Sequence, residues 1–217
     1  MTTTQRRAAI ILRRLKKAYP EPGEFVTWST PLELVIGTVL SAQCTDKRVN
    51  QVTKTLFKKY RSARDYARAN IRTLEKEIYS TGFYHSKAKY LKGIGKLLVE
   101  EFDATIPDTV EGLMKLPGVS TKGAHLIMGK LHGKHTGIAV DTHVKRVAPR
   151  LGLSKHTDPE RIRKDLEKIY PAKNFLEVNE YFIMHGRAVC KPGIPDCATC
   201  PIVDLCPSAK KFLKKRE

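Results

Sequence analysis

The residues with most chemistry to offer lie in the run LPGVSTKGAHLIMGKLHGKHTGIAVDTH, from Leu116 to His143, and in a cysteine cluster near the end of the chain. Pro117 and Gly118 break the chain into a tight turn, and the residues from Ser120 to Leu131 then read as a helix. Backbone N–H groups at such a turn and helix start have no internal acceptor. Leu116, Pro117, Gly118, Val119 and Ser120 therefore frame a site for an anion such as phosphate. Lys122 stands in the first turn of that helix. Asp141 follows nineteen residues later, after a glycine-containing loop and the apolar run Ile138 to Val140. One stretch thus holds an anion clamp, an amine able to act as a nucleophile and a carboxylate able to move a proton. Simpler roles exist for each: a lysine in a basic chain is by default solvated or paired with phosphate, and Asp141 could cap a helix starting at Thr142.

Cys190, Cys197, Cys200 and Cys206 are spaced C-x6-C-x2-C-x5-C. Pro192, Pro195, Pro201 and Pro207 stiffen the loop that carries them, so the four thiols can fold around one tetrahedral centre. Either structural zinc or a four-iron cluster accepts four thiolates. Only one short pair is present, whereas zinc sites usually use two, and this tilts the spacing toward iron and sulfur. An intracellular chain rarely holds structural disulfides, so metal ligands take precedence over bridges. Cys44 stands alone at a helix end and reads as a buried apolar residue.

The elements that must position these groups read as helices throughout. The first twenty residues form a basic amphipathic helix, with Ile11, Leu12 and Leu15 inward and Arg6, Arg13, Arg14, Lys16 and Lys17 outward. A short linker follows Pro20 and Pro22. Thr30-Pro31-Leu32-Glu33 is a capping box with proline at the first helical position, and Leu32, Val35, Ile36, Val39 and Leu40 repeat at helical spacing. Thr45 or Asp46 starts the next helix. Further helical patterns cover Ser62 to Ala69 and Ile71 to Ile78, a longer one follows the break TGFYHSKA, and another begins at Pro107. Beyond Asp141, HVKRVAPRLGL reads as a helix interrupted by Pro149, Asp158-Pro159 opens another, and Asn174 to Val189 is the last before the cysteines. Alternating strand patterns are nearly absent, so the fold class is all-α. The basic tail AKKFLKKRE is expected to fray.

With 217 residues the chain can bury a substantial core, as one domain or two. Its 40 Lys and Arg against 22 acids give a formal charge of +18, which implies a polyanionic partner, nucleic acid ahead of a membrane surface. No stretch approaches the roughly 20 apolar residues of a membrane span. The N-terminal run lacks a signal peptide's uninterrupted core, so an intracellular, unprocessed protein is expected.

Taken together, LSAQCTD (40–46), TGFYHSKA (81–88), LPGVSTKGA (116–124), IAVDTH (138–143) and the cysteine loop resemble the endonuclease III family of helix-hairpin-helix DNA glycosylases. The likeness runs in order from about residue 30 to 207, and it is the collinearity of short motifs that makes it specific. It implies two all-helical domains with a DNA groove between them. One is a helical barrel at 22–132 with the helix-hairpin-helix, and the other combines 1–21 with 133–217 and holds a 4Fe–4S cluster on Cys190, Cys197, Cys200 and Cys206. It implies excision of oxidised pyrimidines from duplex DNA, then strand cleavage at the abasic site, by a cytoplasmic, prokaryote-like, monomeric enzyme. Lys122 matches the family's nucleophile and Asp141 its catalytic aspartate. Gln43 matches the side chain that fills the gap left by a flipped base, and Phe83 stands where the family often has a leucine wedge. The hairpin 116–120 would hold a DNA phosphate through backbone amides and a monovalent cation on its carbonyls. The cluster is expected to pin a loop bearing Lys191 against the DNA backbone.

Three departures from the family pattern bear on the site. Ser120 replaces the second hairpin glycine, which would strain the turn if that position needs φ > 0. The spacer from Lys122 to Asp141 is about one residue longer than usual, and Gly123 and His125 replace residues more often Thr and Asn. Two other readings compete. A monofunctional glycosylase for mismatched adenine or thymine would usually lack the lysine, and a non-catalytic DNA-binding module would need no Lys–Asp pair and no base-flipping side chains.

Overall fold

The computed structural model describes residues 1–20 and 25–213, and no strand occurs among them. In chain order the helices are α1 (Thr3–Ala18), α2 (Pro31–Leu40), α3 (Asp46–Lys59), α4 (Ala63–Arg68), α5 (Ile71–Ile78), α6 (Tyr84–Glu101), α7 (Val110–Lys115), α8 (Thr121–His132), α9 (Thr142–Arg150), α10 (Pro159–Ile169), α11 (Phe175–Ala188) and α12 (Ala209–Leu213). The chain is all-α, as its patterning implies. The expected boundary at residues 21 and 22 lies outside the described residues, and so does the end of the basic tail, 214–217. The tail's beginning is helical, as α12.

Contacts divide the chain into two compact units, Glu24–Lys134 and Met1–Gly23 with His135–Glu217. The first is built around α6, which packs against α4, α5 and α2. Gly95 lets α4 approach: a Cβ there would lie 2.5 Å from Ala63 O and Ala67 N. Leu91, Ile94 and Leu98 of α6 are fully buried with Val35, Ile36 and Leu40 of α2, and Leu113 and Ile127 join them. Each such side chain contributes roughly 1.5–3 kcal/mol relative to exposure. The helix starts follow local sequence. Thr30 and Glu33 form the expected capping box, with Pro31 opening α2. The helix expected from Pro107 begins instead at Val110, because Thr109 supplies the cap by accepting from Gly112 N at 3.1 Å.

In the second unit, Ala8, Ile11, Leu12 and Leu15 of α1 are buried in one cluster with Val144 and Val147 of α9, Ile162 and Leu166 of α10, and Val178 and Phe182 of α11. The polar face of α1 is not uniformly solvated. Arg7 donates to Leu151 O at 2.7 Å, Leu205 O at 2.9 Å and Gly152 O at 3.2 Å. Arg14 pairs with Asp204 at 2.6 Å, and Lys16 pairs with Glu177. Three carbonyls thereby find their donors in one guanidinium. Among the described residues no helix is long and apolar enough to cross a membrane.

Candidate functional site

The hairpin between α7 and α8 is held from beneath by α2 and α6. Gly118 has φ +80°, and a Cβ there would lie 2.7 Å from Tyr90 Cδ2 and 3.1 Å from Val39 Cγ1. Only glycine satisfies both the left-handed backbone and the close approach. Pro117 packs over α6, where a Cβ on Gly93 would come within 3.0 Å of its Cγ. Leu116 and Val119 point into the core at 1% and 7% exposure. Val119 N–H donates to Leu116 O at 3.1 Å, so this amide closes the turn and is not offered outward. The donors that helical geometry leaves without an intrahelical acceptor lie just beyond, in the first turn of α8.

Ser120 is the N-cap of α8. Its φ of −85° is ordinary extended backbone, and its Oγ accepts from Gly123 N at 3.3 Å. The condition for strain is not met, because within the hairpin the positive φ falls on Gly118, and serine is a strong N-cap where glycine is a weaker one. Lys122 follows as the second helical residue and is exposed. Gly123, Ala124 and His125 behind it are buried, which fixes the helix that carries the amine. A Cβ at Gly123 would stand 3.2 Å from Thr38 Cγ2, so the small residue here lets α8 settle on α2.

Gln43 and Phe83 also lie in this unit. Both are non-glycine residues in the left-handed region, with φ of 53° and 50°. Gln43 is exposed and Phe83 keeps 64% of its surface open. Two exposed side chains on unfavourable backbone are the reverse of helix-end packing. Cys44 packs against the core but is half-buried, not fully buried as its isolation suggested.

In the other unit, Asp141 is the N-cap of α9. Its Oδ1 accepts from His143 N at 2.9 Å and Val144 N at 2.8 Å, so the carboxylate is fixed in orientation while half-buried. Arg146, one turn on, ties α9 to the residues before and at the start of the cysteine loop. It donates from Nε to Cys190 O at 2.8 Å and from Nη2 to Gly186 O and His143 Nδ1, both at 3.0 Å. Gly186 is required there, since a Cβ would fall 2.9 Å from His143 Nδ1.

Cys190, Cys197, Cys200 and Cys206 line a single cavity with Leu151, Val189, Pro195, Val203 and His185. Arg150 donates to Cys190 Sγ at 3.4 Å and to Lys191 O at 2.8 Å, and its guanidinium lies over the Phe212 ring. Tyr19 Oη lies 3.0 Å from His185 Nδ1, and His185 Nε2 lies 3.8 Å from Cys200 Sγ. Burial pushes the Cys200 thiol up to about 11 and the Cys206 thiol in the same direction. Such thiols become thiolates only when a metal supplies positive charge. The donor set, four sulfurs in an apolar cavity, therefore fits a thiolate-bound centre. Among the described residues no three His, Cys, Asp or Glu are grouped to hold a single metal ion.

Sequence reasoning missed Arg7, Arg146, Arg150 and Lys87, the last a buried lysine beside the Gln43 and Phe83 loops. The one signal available was that Arg146 and Arg150 stand one helical turn apart between Asp141 and the cysteines.

Comparison with known proteins agrees with this geometry. Residues 36–172 match the model of the HhH-GPD superfamily base excision DNA repair proteins. The chain is 44% identical to endonuclease III of Synechocystis sp. over 97% of its own length and 96% of the relative's. To endonuclease III of Bacillus subtilis it is 38% identical, covering 94% and 93%. Among solved structures it superposes on an endonuclease III trapped as a covalent intermediate with DNA at a TM-score of 0.90 and 37% identity, covering 98% of this chain and 100% of that one. A non-covalent endonuclease III–DNA complex gives a TM-score of 0.91 at 37% identity, covering 100% of both chains. The chain belongs to the endonuclease III family of the HhH-GPD superfamily, the DNA glycosylases and abasic-site lyases of base excision repair.

Proposed function

We propose that this protein excises oxidised pyrimidines from duplex DNA through a Schiff base on Lys122 and then cleaves the strand 3′ to the abasic site. The observation that carries the reading is the placement of Lys122 in the exposed first turn of α8, behind a hairpin docked on buried helices. A relative of the same fold has been trapped covalently with DNA. The unsatisfied amides of the α8 start hold a phosphate, a contact independent of base sequence.

A base in a duplex cannot be attacked at its sugar, so the nucleotide is turned out at a cost of a few kcal/mol. Gln43 fills the vacated space and bonds the orphaned partner, and Phe83 wedges against the opposite strand. Lys122 Nζ, as the free amine, attacks C1′, and the base departs with the bonding electron pair. The new C1′–N group then loses its N–H proton, and cleavage of the C1′–O4′ bond, with O4′ taking a proton, opens the sugar to the imine. The resulting imine acidifies C2′–H, and loss of that proton expels the 3′ phosphate oxygen. Asp141 accepts the amine's proton or balances positive charge developing on the sugar.

The four cysteines are assigned to a 4Fe–4S cluster, supported by the all-sulfur donor set and the apolar cavity. When bound, such a cluster cross-links four points of one loop, and base excision and β-elimination require no electron from it. The surrounding protein orients that loop through Arg146 and Arg150, which hold the carbonyls of Cys190 and Lys191. A monovalent cation on the hairpin carbonyls belongs to the same proposal. The expected setting is the bacterial cytoplasm, with the protein acting as a monomer.

The test is to incubate the protein with a duplex holding one abasic site in the presence of borohydride. A covalent adduct that vanishes in Lys122→Ala supports the lyase, and an adduct that persists unchanged rejects this nucleophile. Release of adenine from a mispair, without strand cleavage and in preference to an oxidised pyrimidine, would favour the monofunctional alternative.

A further inference from the structure

Lys87 is the fourth residue of α6 and is only 3% exposed. Its Nζ donates to Leu40 O and to Thr81 O, both at 2.8 Å. Each acceptor is the last carbonyl of a helical segment, Leu40 of α2 and Thr81 of the 3-10 turn Tyr79–Thr81. Such carbonyls lack intrahelical donors and carry partial negative charge. The same place is a poor one for a cation on other grounds. Burial lowers the pKa of Lys87, and the positive end of its own helix repels it. An apolar side chain would fill the space with less conflict, as buried ions often give way to apolar residues without loss of stability.

What the ammonium does is geometric. Leu40 is three residues before Gln43, and Thr81 is two before Phe83. Both of those residues sit at positive φ, a conformation that persists only where neighbouring structure imposes it. Local bonds shape each loop separately: Cys44 N donates to Ser41 O at 3.1 Å, and Gly82 N to Tyr79 O at 3.3 Å. The Lys87 ammonium spans the two.

We infer that Lys87 is a positioning residue for base extrusion, whose ammonium ties the ends of two helical segments and so holds Gln43 and Phe83 at a fixed separation. The inference rests on the reading that Gln43 and Phe83 enter the duplex. It makes Lys87 irrelevant to bond making, and necessary for presenting plug and wedge together.

The experiment uses the full-length protein with its metal centre and compares wild type with Lys87→Met, Lys87→Gln, Gln43→Ala and Phe83→Ala. Single-turnover excision from a damaged duplex is measured beside borohydride trapping on a single-stranded abasic oligonucleotide, which requires no extrusion. Fluorescence of 2-aminopurine next to an abasic analogue reports unstacking, and circular dichroism reports folding. Lys87→Met is expected to slow duplex excision about 10- to 100-fold and to weaken the unstacking signal, as misplacement of about 1 Å does elsewhere. Its single-strand trapping stays at the wild-type level, and Lys87→Gln, whose amide donates twice, lies between. If Gln43→Ala and Phe83→Ala behave as wild type, the extrusion reading fails and the inference falls with it. If they are impaired while Lys87→Met is not, the inference alone fails. Equal loss of duplex and single-strand activity, or failure of both Lys87 variants to fold, would mark Lys87 as an ordinary core residue and overturn it.

Discussion

Arg150 Nη1 donates to Cys190 Sγ across 3.4 Å, while the same guanidinium reaches Lys191 O at 2.8 Å and Gly193 O at 3.1 Å. One planar side chain thus holds a sulfur and two carbonyls of the cysteine loop. A donor to a cluster-ligating sulfur stabilises the more reduced, more negative state and raises the reduction potential. In the proposed 4Fe–4S protein, Arg150→Leu is expected to lower the potential by up to about 60 mV, a tenfold shift for a one-electron couple. Iron should also be lost faster in air. Arg150→Lys keeps the charge but not the fork, and should restore little of either. Voltammetry on DNA-free protein and iron per chain after timed exposure check this. Unchanged potential and retention in Arg150→Leu would leave the contact without consequence.

Asp141 both caps α9 and is the carboxylate proposed for catalysis, and the two roles separate by substitution. Asparagine and serine cap nearly as well as aspartate, whereas alanine costs about 1 kcal/mol of stability. Asp141→Asn and Asp141→Ser should therefore melt close to wild type, and Asp141→Ala several degrees lower. All three should lose excision by about 10²-fold or more if the charge matters to the chemistry. Full activity in Asp141→Asn would reduce Asp141 to a cap.

At the hairpin, Ser120→Ala should cost about 1 kcal/mol and Ser120→Gly only a few tenths, because glycine is itself a tolerable N-cap. Gly118→Ala meets positive φ and Tyr90 together, so it should exceed either, at about 2 kcal/mol or more. Denaturant midpoints on the three variants give the order directly. Weakened DNA affinity should follow in Gly118→Ala, since the same turn sets where α8 begins.

These positions also show where sequence reading reaches its limit. Thr30, Glu33 and Pro31 act on neighbours within four residues, so their capping role is legible without coordinates. For Ser120 the residue type is visible in sequence, but whether the positive φ falls on it or on Gly118, two residues earlier, depends on Val39 and Tyr90, far along the chain. Lys87, Arg7 and Arg150 are hidden for a different reason. In a chain of net charge +18 every basic residue looks solvated. What singles these out is a set of carbonyls reached across the fold, 144 and 198 residues away for Arg7 Nη1. The proposed phosphate clamp was legible as a segment, but its division into a buried turn and helix-start amides was not.

Two buried phenols should respond oppositely to removal. Tyr66 is 1% exposed and stacked on Tyr60 at 5.1 Å, and its Oη has no hydrogen-bond partner among the described residues. Tyr170, 4% exposed, donates to Ala8 O at 3.2 Å. Tyr66→Phe removes an unsatisfied group and should be neutral or stabilising, by up to about 1 kcal/mol, whereas Tyr170→Phe loses a bond and should cost about 1 kcal/mol. Burial is the leading cause that raises both phenols well above their ordinary pKa of 10.0. A raised folded pKa means stability fully present below pH 10 and lost as pH climbs toward the folded values, because the unfolded chain ionises first. Absorbance of the phenolates should accordingly show these two titrating only together with loss of helical dichroism. Each Phe variant should flatten the alkaline decline. If both tyrosines ionise near pH 10 with the helices intact, their burial is not what the packing indicates.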